Sequence, residues 1–213
     1  MSAGPSVVVV GANLAGGRAV EALRSEGFDG RIILIGEEPH RPYERPPMSK
    51  EVLRGEWPAE KAFLRPESWY AENDIELMLG TRAQMVDLHE QTILASGSLV
   101  PYDALVLATG GSPRSLDVPG ATLQGIHTLR TMDDSIALSA ELTPGARVVV
   151  VGFGFIGAEV AAGARARGCE VTMLEGTPVP FGLSLGPEIG PLCADIHRDN
   201  GVRVLLAKTV ERF

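Results

Sequence analysis

The chain has 213 residues, 45% of them hydrophobic and 22% charged, with 25 glycines. That is enough for one large domain or two small ones with a packed core, so disorder is not the default expectation. Nineteen Lys and Arg against 27 Asp and Glu leave a formal charge of −8, so nucleic acid is not expected as a main partner: phosphate binding wants a basic surface.

Ser6–Val10 reads as a buried parallel strand and Leu14–Glu26 as the helix after it. The residues before the strand carry no basic region, and the apolar run stops at a glycine turn, so a secretory signal is not expected. No apolar stretch approaches the roughly 18 residues a membrane span needs, and no membrane partner is expected. Gly27 and Gly30 frame the turn into a second strand, Arg31–Ile35, ending at Gly36-Glu37-Glu38. Four prolines between Pro39 and Pro47 then exclude a regular helix or a central strand and predict a rigid loop running to Lys50. A short helix is expected around Glu67–Glu72. Short strands follow at Glu76–Met78, Arg82–Asp87 and Thr92–Leu94, the last two forming a hairpin. Tyr102–Ala108 reads as a buried strand ending in Thr109-Gly110-Gly111.

A linker over residues 112–143 holds Pro113, Pro119, Gly120 and a helix capped by Thr131, with Asp133 and Asp134 favouring its first turn. The second half then runs strand Val148–Val151, helix Ile156–Arg167, strand Glu170–Leu174, helix Pro187–Asp199 and strand Val202–Ala207. The fold class expected is α/β, with two Rossmann-like dinucleotide-binding units at residues 1–111 and 144–213. A unit of this kind needs more strands than the second half supplies, so the chain reads as truncated at its C-terminus.

Two glycine turns carry the functional signal. The first is Gly11-Ala12-Asn13-Leu14-Ala15-Gly16, the second Gly152-Phe153-Gly154-Phe155-Ile156-Gly157. Each joins a β-branched strand to an Ala-rich helix, where glycines let a pyrophosphate sit against the N–H groups of the helix N-terminus. In the first, Asn13 holds the middle glycine position; Asn tolerates unusual backbone angles, so a pyrophosphate contact stays open. Glu37 and Glu175 each follow the next strand, where a carboxylate can accept ribose hydroxyls. At Glu175 it favours the free 2′-hydroxyl of NAD. Residues 170–185 contain no Lys or Arg, so nothing nearby is expected to bind an extra phosphate, and NADH is expected over NADPH. Two such turns imply two nucleotides facing each other, as a flavin meets a nicotinamide.

Arg41-Pro42-Tyr43-Glu44-Arg45-Pro46-Pro47-Met48-Ser49-Lys50, Tyr102–Gly110 and Leu129-Arg130-Thr131 resemble the FAD-dependent ferredoxin reductases that serve cytochromes P450 and ring-hydroxylating dioxygenases. These belong to the pyridine nucleotide–disulfide oxidoreductase fold group. The resemblance runs over essentially the whole chain. It implies that Arg45 and Lys50 lie along FAD and its phosphates and that Ala108-Thr109-Gly110 passes FAD. It also implies that Arg130 approaches the flavin ring, that the Ala83 backbone contacts adenine, and that Glu159 lies near the nicotinamide. A cation beside a reduced, anionic flavin stabilises its charge, which casts Lys50 as catalytic, and the resemblance casts Glu159 as catalytic at the nicotinamide. A first-turn carboxylate that only complements the helix dipole is the other reading of Glu159. Relatives carry arginines in the segment where this chain has Val179 and Leu183.

Disulfide reductases of this fold keep redox cysteines beside the flavin, whereas here the neighbourhood reads Pro-Pro-Met-Ser-Lys. Cys169 and Cys193 are too few and too far apart for a disulfide framework or zinc knuckle, and a reducing cytoplasm fits them. His40, His89, His127 and His197 show no metal-ligand spacing, so no metal is expected. Electrons then leave the flavin for an outside acceptor. The resemblance implies NADH–ferredoxin oxidoreduction with a [2Fe–2S] ferredoxin as partner. Six basic against four acidic residues in 41–65 offer a dock for it. The segment by itself is expected to show little activity. Two alternatives stay open: another flavoenzyme, such as a nitrite reductase subunit, or a binding and signalling flavoprotein like the apoptosis-inducing flavoproteins.

Overall fold

A computed structural model of the chain describes residues 4–182 and 184–213. They divide into two compact units: residues up to Glu44 with Glu60–Gly111, and Arg45–Ala59 with Ser112–Phe213.

The first unit is built in three layers. Its central sheet has the order β3-β2-β1-β7, all parallel, from β1 (Ser6–Val10), β2 (Arg31–Ile35), β3 (Ile75–Met78) and β7 (Ala104–Leu107). Successive side chains on a strand point to opposite faces. Val7, Val9, Ile32 and Leu34 therefore pack with Val20 of α1 (Leu14–Ser25) and Tyr70 of α2 (Glu67–Glu72). Val8, Val10, Ile33 and Ile35 pack the other way, against Ile93, Ala95, Val100 and Tyr102. Those belong to or flank an antiparallel sheet of β4 (Ala83–Asp87), β5 (Thr92–Ala95) and β6 (Ser98–Pro101). Burial on both faces explains why β1 and β2 read as unbroken apolar runs.

Two features of this unit differ from expectation. β6 had no counterpart: Ser96 and Gly97, at φ 48° and 80°, make the tight turn that folds it back onto β5. β7 is shorter than the predicted Tyr102–Ala108 strand and is not buried, with Leu107 63% exposed. It is the edge of the sheet and pairs only with β1 among the described residues.

In the second unit the described residues form a parallel sheet of order β10-β9-β8, from β8 (Arg147–Val151), β9 (Glu170–Glu175) and β10 (Arg203–Leu206). One face is covered by α4 (Phe155–Ala166) and α5 (Gly186–Asp199) around Val150, Ala161, Ala164, Met173 and Ala194. On the other face Val149 and Val151 are exposed. A third helix, α3 (Met132–Glu141), starts at a reciprocal cap: the Asp134 N–H donates to Thr131 Oγ1, and Asp134 Oδ2 accepts from the N–H groups of Arg130 and Thr131.

Residues 45–59 are also part of this unit. Ser135 Oγ donates to the Met48 carbonyl at 2.7 Å, and Arg167 Nη1 to the Leu53 carbonyl at 2.9 Å and to Ser139 Oγ at 2.6 Å. Leu53, fully buried, belongs to the same apolar cluster as Val150 and Met173. Leu53→Ala is accordingly expected to cost about 2–5 kcal/mol, read as a lower denaturant midpoint of the second unit. A loss below about 1 kcal/mol, the scale of a surface change, would detach the segment from that core.

Candidate nucleotide-binding sites

A parallel sheet binds ligands outside the carboxyl ends of its strands, where the strand order reverses. In the first unit that point lies between β1 and β7, and the predicted residues Gly11 and Ala108 meet there. Gly11 has φ +117°, and a Cβ on it would stand 1.9 Å from the Ala108 carbonyl oxygen. A Cβ on Gly16 would stand 1.8 Å from the Gly11 oxygen, so α1 approaches the turn only because both are glycine. Asn13 is the N-cap of α1. Its Oδ1 accepts from the N–H groups of Ala15 and Gly16 at 3.0 and 3.2 Å, and its Nδ2 donates to the Ala108 carbonyl. Asn13 therefore also ties the turn to the start of Ala108-Thr109-Gly110. Past β2, exposed Glu37 pairs with Arg82 at 3.1 Å, beside Ala83 at the start of β4.

The second turn repeats the close approach without the cap. Gly152 has φ +99°, and a Cβ on Gly157 would stand 2.1 Å from the Gly152 oxygen. Gly154 is the N-cap of α4, no side chain among the described residues caps it, and a Cβ there would meet nothing within 4 Å. Open space thus faces Gly154, where α4 begins with Phe155, Ile156 and Gly157. Glu175, at the end of β9, reaches back to this turn: its Oε2 accepts from the Phe153 N–H at 2.8 Å, and its Oε1 from the Thr177 N–H and hydroxyl at 2.8 and 2.9 Å. The Lys208 N–H donates to the Glu175 carbonyl at 2.9 Å, so a basic residue adjoins Glu175 after all. It comes from the end of β10, outside the 170–185 segment. Val179 Cβ lies 3.8 Å from the position a Cβ on Gly182 would take; Leu183 lies outside the described residues.

The second unit also contains a cleft of about 260 Å³ lined by Arg45, Lys50, Arg130, Ile156 and Glu159, among others. Five residues singled out in sequence, from three separate stretches, therefore face one space. Lys50 Nζ lies 2.8 Å from Glu159 Oε1, and Ser49 Oγ donates to Glu159 Oε2. Arg45 Nη1 donates to the Arg130 carbonyl. Among the described residues, Arg130 Nε is a buried side-chain nitrogen with no hydrogen-bond partner. Such a group costs about 1–3 kcal/mol unless something satisfies it. Three cations against one carboxylate line the cleft among the described residues, within a chain of charge −8. An anionic group fits that wall: its charge answers the cations and its acceptors answer Arg130 Nε. Ser49 was missed in the sequence, since nothing local marks it as the partner of a residue 110 positions away.

The basic stretch 41–65 is divided between the two units. Within it Arg54 is held by Glu56, Nε to Oε1 at 2.7 Å and Nη2 to Oε2 at 2.8 Å, so part of its charge is answered locally.

Glu175 offers a pH test of the second turn. Burial pushes its carboxyl up, but the N–H groups of Phe153, Thr177 and Gly176 and the Thr177 hydroxyl together hold it below its ordinary value. The stability it contributes is complete above the ordinary value of 4.5 and is lost as the pH falls through the lowered one. Glu175→Gln is expected to flatten the acid limb of the stability–pH curve. An unchanged acid limb would show that the carboxylate does not brace the turn.

Residues 5–213 match the family described as pyridine nucleotide-disulphide oxidoreductase. The chain is 42% identical over 210 residues to the biphenyl dioxygenase system ferredoxin–NAD(+) reductase component of Paraburkholderia xenovorans (strain LB400), covering 98% of this chain and 51% of that protein. It is 38% identical to rhodocoxin reductase of Rhodococcus erythropolis, covering 97% of this chain and 48% of that one. Putidaredoxin reductase, solved in covalent complex with putidaredoxin, superposes with a TM-score of 0.94 at 34% identity, over 100% of this chain and 52% of that one. The chain spans about half the length of the curated relatives it matches. The match across residues 5–213 establishes that the chain belongs to the pyridine nucleotide-disulphide oxidoreductase family.

Proposed function

We propose that this protein is a cytoplasmic, FAD-dependent oxidoreductase that passes electrons from NADH to a [2Fe–2S] ferredoxin serving a cytochrome P450 or a ring-hydroxylating oxygenase. The observation that carries the reading is the cationic cleft of the second unit, where Lys50 and Glu159 form an ion pair beside the unpartnered Arg130 Nε. Names of the relatives support the acceptor: one is a ferredoxin–NAD(+) reductase component, and another was solved bound to putidaredoxin.

In this reading residues 1–111 form the FAD-binding domain and 144–213 the NAD-binding domain, joined by 112–143. The backbone N–H groups of Gly11, Asn13, Leu14, Ala15 and Gly16 take the FAD pyrophosphate, Glu37 and the Ala83 backbone its adenosine end, and Ala108-Thr109-Gly110 runs alongside. Arg45, Lys50 and Arg130 hold the ring region. Gly152, Gly154, Phe155, Ile156 and Gly157 take the pyrophosphate of NADH, and Glu175 accepts from its ribose.

Bound FAD supplies the capacity to accept two electrons together and release them singly. The chain supplies charge and orientation. The Lys50 ammonium offers a fixed positive charge where negative charge develops, with no reorganisation needed at the moment of reaction. Glu159 aims Lys50, and Ser49 aims Glu159, so three side chains behave as one braced unit. Since Glu159 sits on the first turns of α4, the brace also ties the flavin-side lysine to the helix whose N-terminus takes the nicotinamide nucleotide.

The test is anaerobic. The whole protein, once purified, should be yellow, bleach on addition of NADH but not NADPH, and then reduce added ferredoxin. Lys50→Gln should keep its flavin yet bleach about 10²-fold more slowly, the scale of losing one charge-stabilising donor. Absence of flavin, or equal bleaching by NADPH, would overturn the assignment.

A further inference from the structure

The two nucleotide turns begin their helices with the same backbone and different side chains. Asn13 has φ −108° and ψ −169°, Gly154 φ −98° and ψ −171°. Both are extended, a conformation any residue adopts. The middle position of the fingerprint therefore does not require glycine for its backbone in either turn. What differs is the use of the helix amides. In the first turn the Asn13 carboxamide takes the N–H groups of Ala15 and Gly16, whereas in the second no side chain among the described residues takes the corresponding ones.

An amide hydrogen donated to Asn13 is not available to a phosphate oxygen. The same carboxamide also donates to the Ala108 carbonyl, so a single side chain closes the mouth of the turn from both sides. Resting on the flavin reading above, we infer that Asn13 is a displaceable cap: it satisfies the turn while no dinucleotide is bound, and gives up those amides when the FAD pyrophosphate arrives. The cap stabilises the cofactor-free protein and, to the same extent, opposes cofactor binding. The second turn has no such cap, so NADH meets open amides on every turnover, whereas FAD displaces the cap once.

Reciprocal variants of the whole protein test this. Asn13→Ala keeps a Cβ but loses the cap, and should lower the thermal midpoint of the flavin-free protein by about 2–4 °C. It should tighten FAD binding, titrated by flavin fluorescence, about fivefold, and leave the midpoint of the flavin-saturated protein unchanged. Gly154→Asn transplants the cap into open space. It should weaken NADH binding about fivefold while FAD affinity holds. Equal losses of midpoint with and without FAD would show a permanent cap and overturn the inference while leaving the flavin reading intact. No change in either midpoint, or weaker FAD binding by Asn13→Ala, would also overturn it. Failure of the unsubstituted protein to take FAD would overturn the flavin reading, and the inference with it.

Discussion

The architecture of each unit depends on one close approach: the first turn of a helix resting directly on the carbonyl that ends the preceding strand. A Cβ on Gly16 or Gly157 would stand 1.8 or 2.1 Å from the oxygen of Gly11 or Gly152, far inside contact distance. Only glycine permits it. With the helix seated this low, its N-terminal amides open at the carboxyl end of the sheet, where the partial positive charge of the helix end favours an anion. The β-branched strands on either side then bury both faces or one, according to what covers them.

Charge is distributed to suit such ligands. A chain of −8 collects Arg45, Lys50 and Arg130 in one cleft with a single carboxylate, Glu159, among its described residues. The pairing of Lys50 with Glu159 lowers the cost of holding a cation there, and the capping box at Thr131 and Asp134 fixes the backbone that carries Arg130. Ser135 of α3 and Arg167, the C-cap of α4, donate to the carbonyls of Met48 and Leu53, so the loop bearing Arg45 and Lys50 is held at these two points.

Local physics made much of this legible. The two turns, β1, β2, α2 and the hairpin of β4 and β5 follow from β-branched runs, glycine position and helix caps, all within a few residues. The Thr131 cap was readable because Thr and Asp at that spacing satisfy each other's backbone. The openness of β7, the strand β6, the partner of Ser49 and the nearness of Lys208 to Glu175 were not. Each depends on what lies beside a residue in space, and 110 positions separate Ser49 from Glu159.

By itself, then, the order of residues determined where the chain turns, which stretches are strand or helix, and that two helices each open on a glycine turn. Those properties are set by neighbours within a few positions: glycine freedom, proline stiffness and alternation of apolar side chains. Tertiary structure decided that residues 45–59 join the second unit, that Glu159 meets Lys50, and that Asn13 fills with its own carboxamide what Gly154 leaves open. Such outcomes rest on the packing of distant segments, whose energies no local pattern records.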